Sequence, residues 1–261
     1  MRGRGRLVFR LITALAAIAI VIVLAPKETP LDGVWQLAGR MLKGEVGFAE
    51  RTGWWEMYER NGRFYLPYAP LAAVVLIPFA AAFGTERLGL PVVNAVLLLG
   101  SALLLWKLLA NRRRTRPIAE LVALAYLFAT PLLSSISTGT VWYLLHSEGN
   151  LFLFAALLCR QKHRWFAFGF FVAIAIGCRN GLLPSLLGLI LLLGKRPKRY
   201  AWALAGAAIP TGVALWLNWL AAGSLRTTTY QLAYAEWKCS RYTLLRMCPL
   251  MPRSTFCLTR C

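Results

Sequence analysis

Apolar stretches near twenty residues long recur along this chain, and short basic clusters separate them. About twenty consecutive apolar residues is the length a helix needs to cross a bilayer. In hydrocarbon every backbone N–H and C=O must be satisfied within the segment, which runs of this length achieve as helices. With 58% hydrophobic and only 15% charged residues, the composition is not that of a soluble domain. The fold expected is all-α: a polytopic membrane helix bundle of about seven spanning helices.

The charge pattern supports the same reading. The net charge is +20, but the basic residues lie in short clusters between apolar runs, as membrane topology demands, and no nucleic-acid partner is expected. The clear clusters are Arg2–Arg10, Arg112–Arg116, Arg160–Arg164 and Lys195–Arg199, and such clusters face the cytoplasm. Arg2, Arg4, Arg6 and Arg10 precede the apolar run Leu11 to Ala25. The small residues of Ala14 to Ala19 lie inside that run rather than after it, so it reads as an uncleaved first helix, about 7–25, instead of a signal peptide. The protein is therefore expected in the cell membrane, multi-pass, with its N-terminus cytoplasmic.

The run Pro67 to Phe83 tests this topology. If it crossed, the helix at 90–110 would run outward and leave Arg112, Arg113 and Arg114 outside. The run is short and carries Pro67, Pro70 and Pro78, each lacking a backbone donor. It is read as a juxtamembrane or re-entrant segment on the outer side. The remaining helices then alternate: 90–110 inward, 117–133 outward, 141–159 inward, 165–178 outward, 181–194 inward and 200–222 outward. Ser134–Thr140 and Arg179-Asn180 make outer turns.

This places a long loop, 26–89, outside. Six of the ten acidic residues fall between Glu28 and Glu59. Val34, Trp35, Ala38, Met41 and Leu42 share a helical face opposite Arg40 and Lys43, the pattern of an interfacial amphipathic helix. Trp54, Trp55, Tyr58, Phe64, Tyr65 and Tyr68 suit an aromatic belt at headgroup level, with stacking on a sugar as the alternative role for individual rings.

The order of these features resembles the GT-C fold glycosyltransferases. The branch it is most similar to is the bacterial one related to protein O-mannosyltransferases and to the aminoarabinose transferases acting on lipid A. The likeness rests on an early loop acid and on the stretch Asn61 to Leu71, containing Tyr65-Leu66-Pro67-Tyr68-Ala69-Pro70. It rests further on Ser137 to Tyr143 as a second outer turn, on Gly177-Cys178-Arg179-Asn180-Gly181, and on Asn218-Trp219-Leu220 followed by Gly223-Ser224. It covers roughly residues 7–235. The resemblance implies a catalytic module over 1–237 that takes a sugar from a polyprenyl-phosphate carrier, with inversion, and places it on an acceptor at the outer face. Membrane lipids are the other expected partners.

Such chemistry needs a carboxylate base, cations for the leaving phosphate and room for a lipid tail. Asp32 lies where the family places its catalytic acid; it also precedes a helical pattern, so an N-cap is the competing role. Glu28 is the fallback. Arg179 interrupts two apolar helices and suits bidentate phosphate binding, against the alternative of a snorkelling helix-end arginine. Arg63 is a second phosphate candidate, and Tyr65 a substrate contact. His146, Glu148 and Asn150 are polar groups within helix 141–159, where ionisable residues point to function; helix packing beside Gly149 is the bland alternative. The family's second outer acid would fall near Thr140, and Glu148 is the substitute. No cofactor is expected, a divalent metal stays open, and no zinc-type cysteine spacing exists. Cys159 and Cys178 read as structural.

After Trp237 apolar periodicity ends, and Cys239, Cys248, Cys257 and Cys261 crowd the last residues. A disulfide-bonded outer tail and a frameshifted or truncated reading frame are the two readings of 238–261. The rival functions are a non-catalytic or inactive membrane protein and a lipid or solute transporter; for the latter no repeat symmetry between halves is visible.

Overall fold

The computed structural model describes residues 32–51, 57–68, 70–85, 90–129 and 141–236. The first helix, Glu28, Trp54, Trp55, the turn Ser134–Thr140 and the tail 238–261 lie outside the described residues.

In chain order the elements are α1 (Gly33–Met41), a hairpin of β1 (Tyr58–Arg60) and β2 (Arg63–Tyr65), α2 (Pro70–Phe83), α3 (Leu90–Ala110), α4 (Ala119–Phe128), α5 (Val141–Gln161), α6 (Trp165–Cys178), α7 (Ser185–Leu191) and α8 (Pro197–Ala222). Residues 229–236 are again helical. Among the described residues, two helical stretches are long and apolar enough to cross a membrane, Val92–Ala110 in α3 and all of α8; α2 and α6 are apolar but shorter.

Contacts fix the directions of the helices. α3 and α5 run side by side in the same sense. Gly100 faces Leu151, and at the far end Gln161 donates to the Leu108 carbonyl at 2.9 Å and accepts from Asn111 at 3.3 Å. α6 returns along α5, bringing Cys178 back beside Glu148. α8 crosses α6 backbone to backbone: a Cβ at Gly169 would collide with the Ala203 carbonyl, and one at Gly206 with that of Phe166. Small residues of this kind let apolar helices approach closely where lipid supplies no hydrophobic drive.

Two ends result. The basic clusters Arg112–Arg114, Arg160–Arg164 and Lys195–Arg199 gather at one, where the Arg199 guanidinium lies over the Trp165 ring at 4.7 Å. The loop residues gather at the other. There Val34, Trp35, Phe48, Met57, Tyr68, Leu76, Val93, Val141, Leu144 and Cys178 form one core, joining the loop to the first turns of α3 and α5 and the last turn of α6.

The loop departs from expectation in three ways. α1 does not turn its apolar face to lipid: Val34, Trp35, Leu37 and Ala38 are buried in protein, Gly39 packs on Thr85, and the Trp35 indole donates to the Thr85 carbonyl at 3.0 Å. The face is amphipathic because α2 covers it. Tyr58 and Tyr68, expected in a headgroup belt, are each 2% exposed, because the chain folds them inward. The third departure is the hairpin itself, which breaks the all-α expectation. Asn61 and Gly62 sit at φ 53° and 71°, the conformation of a two-residue I′ turn that Asn-Gly favours. The register pairs Tyr58 with Tyr65, and Phe48 forms an isolated antiparallel bridge to Phe64 on the other edge of β2.

α2 forms a helix despite Pro78. Fourteen residues reach about 21 Å, less than the ~30 Å of bilayer hydrocarbon. Its start packs Leu71 against Gly177 at the end of α6, and Thr85, just past its end, is held by α1. α2 thus stays with the loop. The helix expected over 181–194 is broken into a 3-10 turn, Asn180–Leu182, and α7. Pro184, which has no N–H to continue the turn, stands at the break as the N-cap of α7.

Candidate functional site

The loop end is tied together by polar contacts from distant parts of the chain. α8 ends at Gly223, whose φ of 70° is the left-handed conformation glycine adopts at no steric cost. Arg60, at the tip of β1, donates to the last carbonyls of α8, Leu220 at 3.4 Å and Ala221 at 3.2 Å. A cation there also complements the helix dipole. Past Gly223, Asn218 donates to the carbonyls of Ser224 and Thr227, both at 3.0 Å. Thr228 and Gln231 then cap the next helix reciprocally, at 3.2 and 2.9 Å, as a capping box does. Thr229 donates to the Pro67 carbonyl at 2.7 Å in a buried position, and the Tyr230 ring meets Tyr68 edge-on at 6.0 Å.

Arg179 stands at the centre of this region. It is the extended residue ending α6, half-buried, and its side chain passes over Gly181, with Nε 3.8 Å from where a Cβ would sit. Tyr230 and His146 are both within its electrostatic reach. Burial lowers its affinity for its proton. Among the described residues no carboxylate pairs with it and no acceptor takes its hydrogen bonds. A half-buried guanidinium with five donors and no bonded partner among the described residues is able to receive an anion.

Glu148 lies deeper on α5. It is fully buried, and neither carboxyl oxygen has a hydrogen-bond partner among the described residues. The Cys178 thiol lies beside it without hydrogen-bond geometry; a thiol is a weak donor in any case. Gly149 next to it lets α5 close on the end of α6: a Cβ there would meet Leu182 at 2.8 Å and the Arg179 Cβ at 3.5 Å. Glu148 and Arg179 thus flank one helix junction, and His146 is half-buried on the same stretch.

Asp32 is half-buried at the start of α1. Its side chain does not cap the helix. The helix starts on its carbonyl, which accepts the Gln36 N–H at 3.0 Å, while Oδ2 accepts from the Gln36 side chain at 2.9 Å. The carboxylate is held but not consumed. A Cβ at Gly33 would meet the Leu66 side chain at 3.1 Å, one residue from the Pro67 that Thr229 grips, so Asp32 belongs to the same end as Arg179. Arg63 is exposed on β2 and joins none of these contacts; Arg60, facing it across the hairpin, is the arginine that reaches the bundle. Tyr65 is half-buried and stacks on Tyr58 at 5.7 Å. Burial, then the neighbouring Tyr65, push the Tyr58 phenol up, so it stays neutral. Among the described residues no three His, Cys, Asp or Glu side chains cluster as metal ligands.

Residues 68–243 match the family described as "Predicted membrane protein (DUF2079)", more than half of the chain. The chain belongs to this family. No curated protein and no solved structure matches it. The family match takes in His146, Glu148, Arg179 and Tyr230 and begins at Tyr68, so the part of the site it shares is the helical part, while Asp32 and Arg60 lie before it.

Sequence reasoning missed Arg60, Thr229 and Tyr230. For the first, Asn61-Gly62 was a readable hairpin signal that places its neighbours at a strand tip. For the others, Thr228 and Gln231 were a readable helix start, although nothing local told that this helix returns to Pro67.

Proposed function

We propose that this membrane protein is a polytopic glycosyltransferase of about seven passes, moving a sugar from a polyprenyl-phosphate donor to an acceptor at the outer face of the cell membrane. The observation that carries the proposal is Arg179, half-buried and without a counter-ion among the described residues, at the end of the bundle that also holds Asp32. The resemblance of the motif order to the GT-C branch supports it. The acceptor hydroxyl oxygen attacks the anomeric carbon and the bond from that carbon to the phosphate oxygen breaks, which inverts the centre. Asp32 takes the hydroxyl proton. The phosphate leaves with the electron pair, its charge met by Arg179. The apolar flanks of the helices take the polyprenyl tail.

The test uses the full chain in nanodiscs, a short polyprenyl phosphate as binding probe and a panel of radiolabelled polyprenyl-phosphate hexoses as donors. Losing a charge-assisted phosphate contact worth roughly 1.5–3 kcal/mol weakens binding about 10- to 100-fold in Arg179→Ala. Asp32→Asn is expected to keep binding and lose roughly 100- to 10,000-fold in turnover. Equal binding of polyprenyl phosphate and neutral polyprenol, or an unaffected Arg179→Ala, overturns the proposal.

A second reading, a lipid or solute transporter, is favoured by one observation: the fully buried Glu148, whose carboxyl oxygens have no hydrogen-bond partner among the described residues. Intramembrane acids mark ion and substrate pathways. Flux abolished by Glu148→Gln but indifferent to Asp32→Asn would select that reading.

A further inference from the structure

The basic end carries a built cavity that the sugar-transfer site does not use. Two adjoining pockets, of about 380 Å³ and 620 Å³, open between the turn joining α5 to α6 and the start of α8, and they share His163, Trp165 and Arg199. Arg112, Arg160 and Lys162 contribute to the first, Arg196 and Lys198 to the second, and no acidic residue lines either.

These cations are not merely loose surface charges. Arg199 lies over the Trp165 ring at 4.7 Å and spends one donor on the Leu193 carbonyl at 3.1 Å. Arg160 spends its Nε on Leu192 at 3.3 Å. A guanidinium has five donors, so each arginine is anchored with several left. One wall is fixed by the bonds from Asn111 and Gln161 that join the ends of α3 and α5. The N-terminus of α8 enters the second pocket with Pro197 in its first turn, adding the partial positive charge of a helix start to the side-chain cations. Between α5 and α6 the chain turns through His163 at φ 56°, a conformation glycine adopts more cheaply. The turn nonetheless presents an imidazole to both pockets, and local strain of this kind is found at binding sites.

We infer that the paired pockets hold the headgroup of an anionic phospholipid carrying two phosphates. One pocket receives each phosphate, the first through Arg160 and Lys162, the second through Lys198 and the start of α8, with Arg199 between them. The surroundings argue for a lipid over a soluble anion. Trp202 lines the second pocket and is 59% exposed, Ile209 and Trp216 continue its exposed apolar face along α8, and Leu204 is exposed on the other face, which gives acyl chains a surface beside the headgroup. Basic pockets between helix ends are suited to such headgroups.

The experiment measures lipid binding to the full chain in a neutral detergent by native mass spectrometry and by thermal shift. The probes are diphosphatidylglycerol, phosphatidylglycerol, phosphatidylcholine and inorganic pyrophosphate. The variant is Lys162→Gln with Lys198→Gln, two exposed side chains chosen so that the anchored arginines stay intact. The expected result is tight, saturable binding of the diphosphatidyl lipid, weaker binding of the monophosphate lipid and none of the zwitterionic one. The double variant is expected to weaken the diphosphatidyl lipid roughly thirtyfold, about fivefold per cation removed. Pyrophosphate binding as tightly as the lipid would make this a soluble-anion site and overturn the inference. So would equal affinity for one and two phosphates, or an unchanged affinity in the double variant whose thermal unfolding matches that of the parent.

Discussion

Replacing Glu148 with methionine is expected to make the protein more stable and less functional. Glu148 is 0% exposed, and both carboxyl oxygens lack a hydrogen-bond partner among the described residues. A buried polar group left unsatisfied costs about 1–3 kcal/mol on the scale of protein mutations. Methionine has nearly the same length, adapts to an irregular cavity, and tolerates the neighbouring Cys178. Glu148→Met therefore recovers most of that cost, and Glu148→Gln, which keeps polar atoms at the same place, recovers little. For a chain of this size each kcal/mol moves Tm by about 2–4 °C, so a rise of roughly 2–10 °C follows. Unfolding in detergent, followed by the fluorescence of the ten tryptophans, reads it directly. If the carboxyl is retained for a ligand, the more stable variant also loses sugar transfer or lipid-phosphate binding, the usual exchange between stability and function. A Tm that falls in Glu148→Met while holding in Glu148→Gln would refute the reasoning, because it would mean that the carboxyl has a polar partner in the native protein.

Gly206→Leu places a side chain into the Phe166 carbonyl, and backbone on both sides leaves nothing to rotate away. A loss of about 3 kcal/mol or more, seen as a collapse in monodisperse yield, is expected. Gly188→Ala serves as the control, since a Cβ there meets nothing within 4 Å. Arg60→Ala removes the two hydrogen bonds to the end of α8 and is expected to cost about 1–3 kcal/mol, concentrated locally; faster amide exchange over 219–230 than in the parent checks it, and uniform protection would refute it.

The parts of the fold that the sequence displayed were those set by local pattern. Arg112–Arg114 and Arg160–Arg164 announced which helix ends lie together, and Gln161 does join Asn111 and Leu108 there. The three prolines of 67–78 announced a segment unlike the other apolar runs, and α2 packs against the loop helix α1 through Gly39 and Trp35 at Thr85. What the pattern could not display was which partner an apolar face meets. Trp35 on an amphipathic helix fits lipid or protein equally, and only the Thr85 carbonyl within reach of its indole decides. The same holds for Tyr58 and Tyr68, whose aromatic character fits a headgroup belt and a core alike. At the site, Arg179 and Glu148 were visible as charges in apolar surroundings, but Arg60 and Tyr230 act through contacts more than 150 residues away in sequence, beyond any local signal.

The arginines of this protein fall into two physical situations, and that difference argues for the assignment of sites more than any single residue does. At the basic end Arg160 and Arg199 have backbone carbonyls as partners, and the adjoining Lys162, Lys198 and Arg112 are exposed, so a lysine at most of these positions preserves the charge on which topology depends. Arg60 is likewise answered, by the carbonyls of α8. Arg179 is not: it is half-buried at the end of the bundle that also holds Asp32, and no group among the described residues is bonded to it. Folding alone would favour a neutral residue at that corner, because desolvating a charge without a partner is unfavourable. Under the proposed function, the planar, five-donor cation there meets the phosphate of the donor. A lysine, which offers a point charge in place of a fork, is then expected to restore less than half of the phosphate-binding free energy lost in Arg179→Ala, whereas at Lys162 or Lys198 an arginine serves equally well.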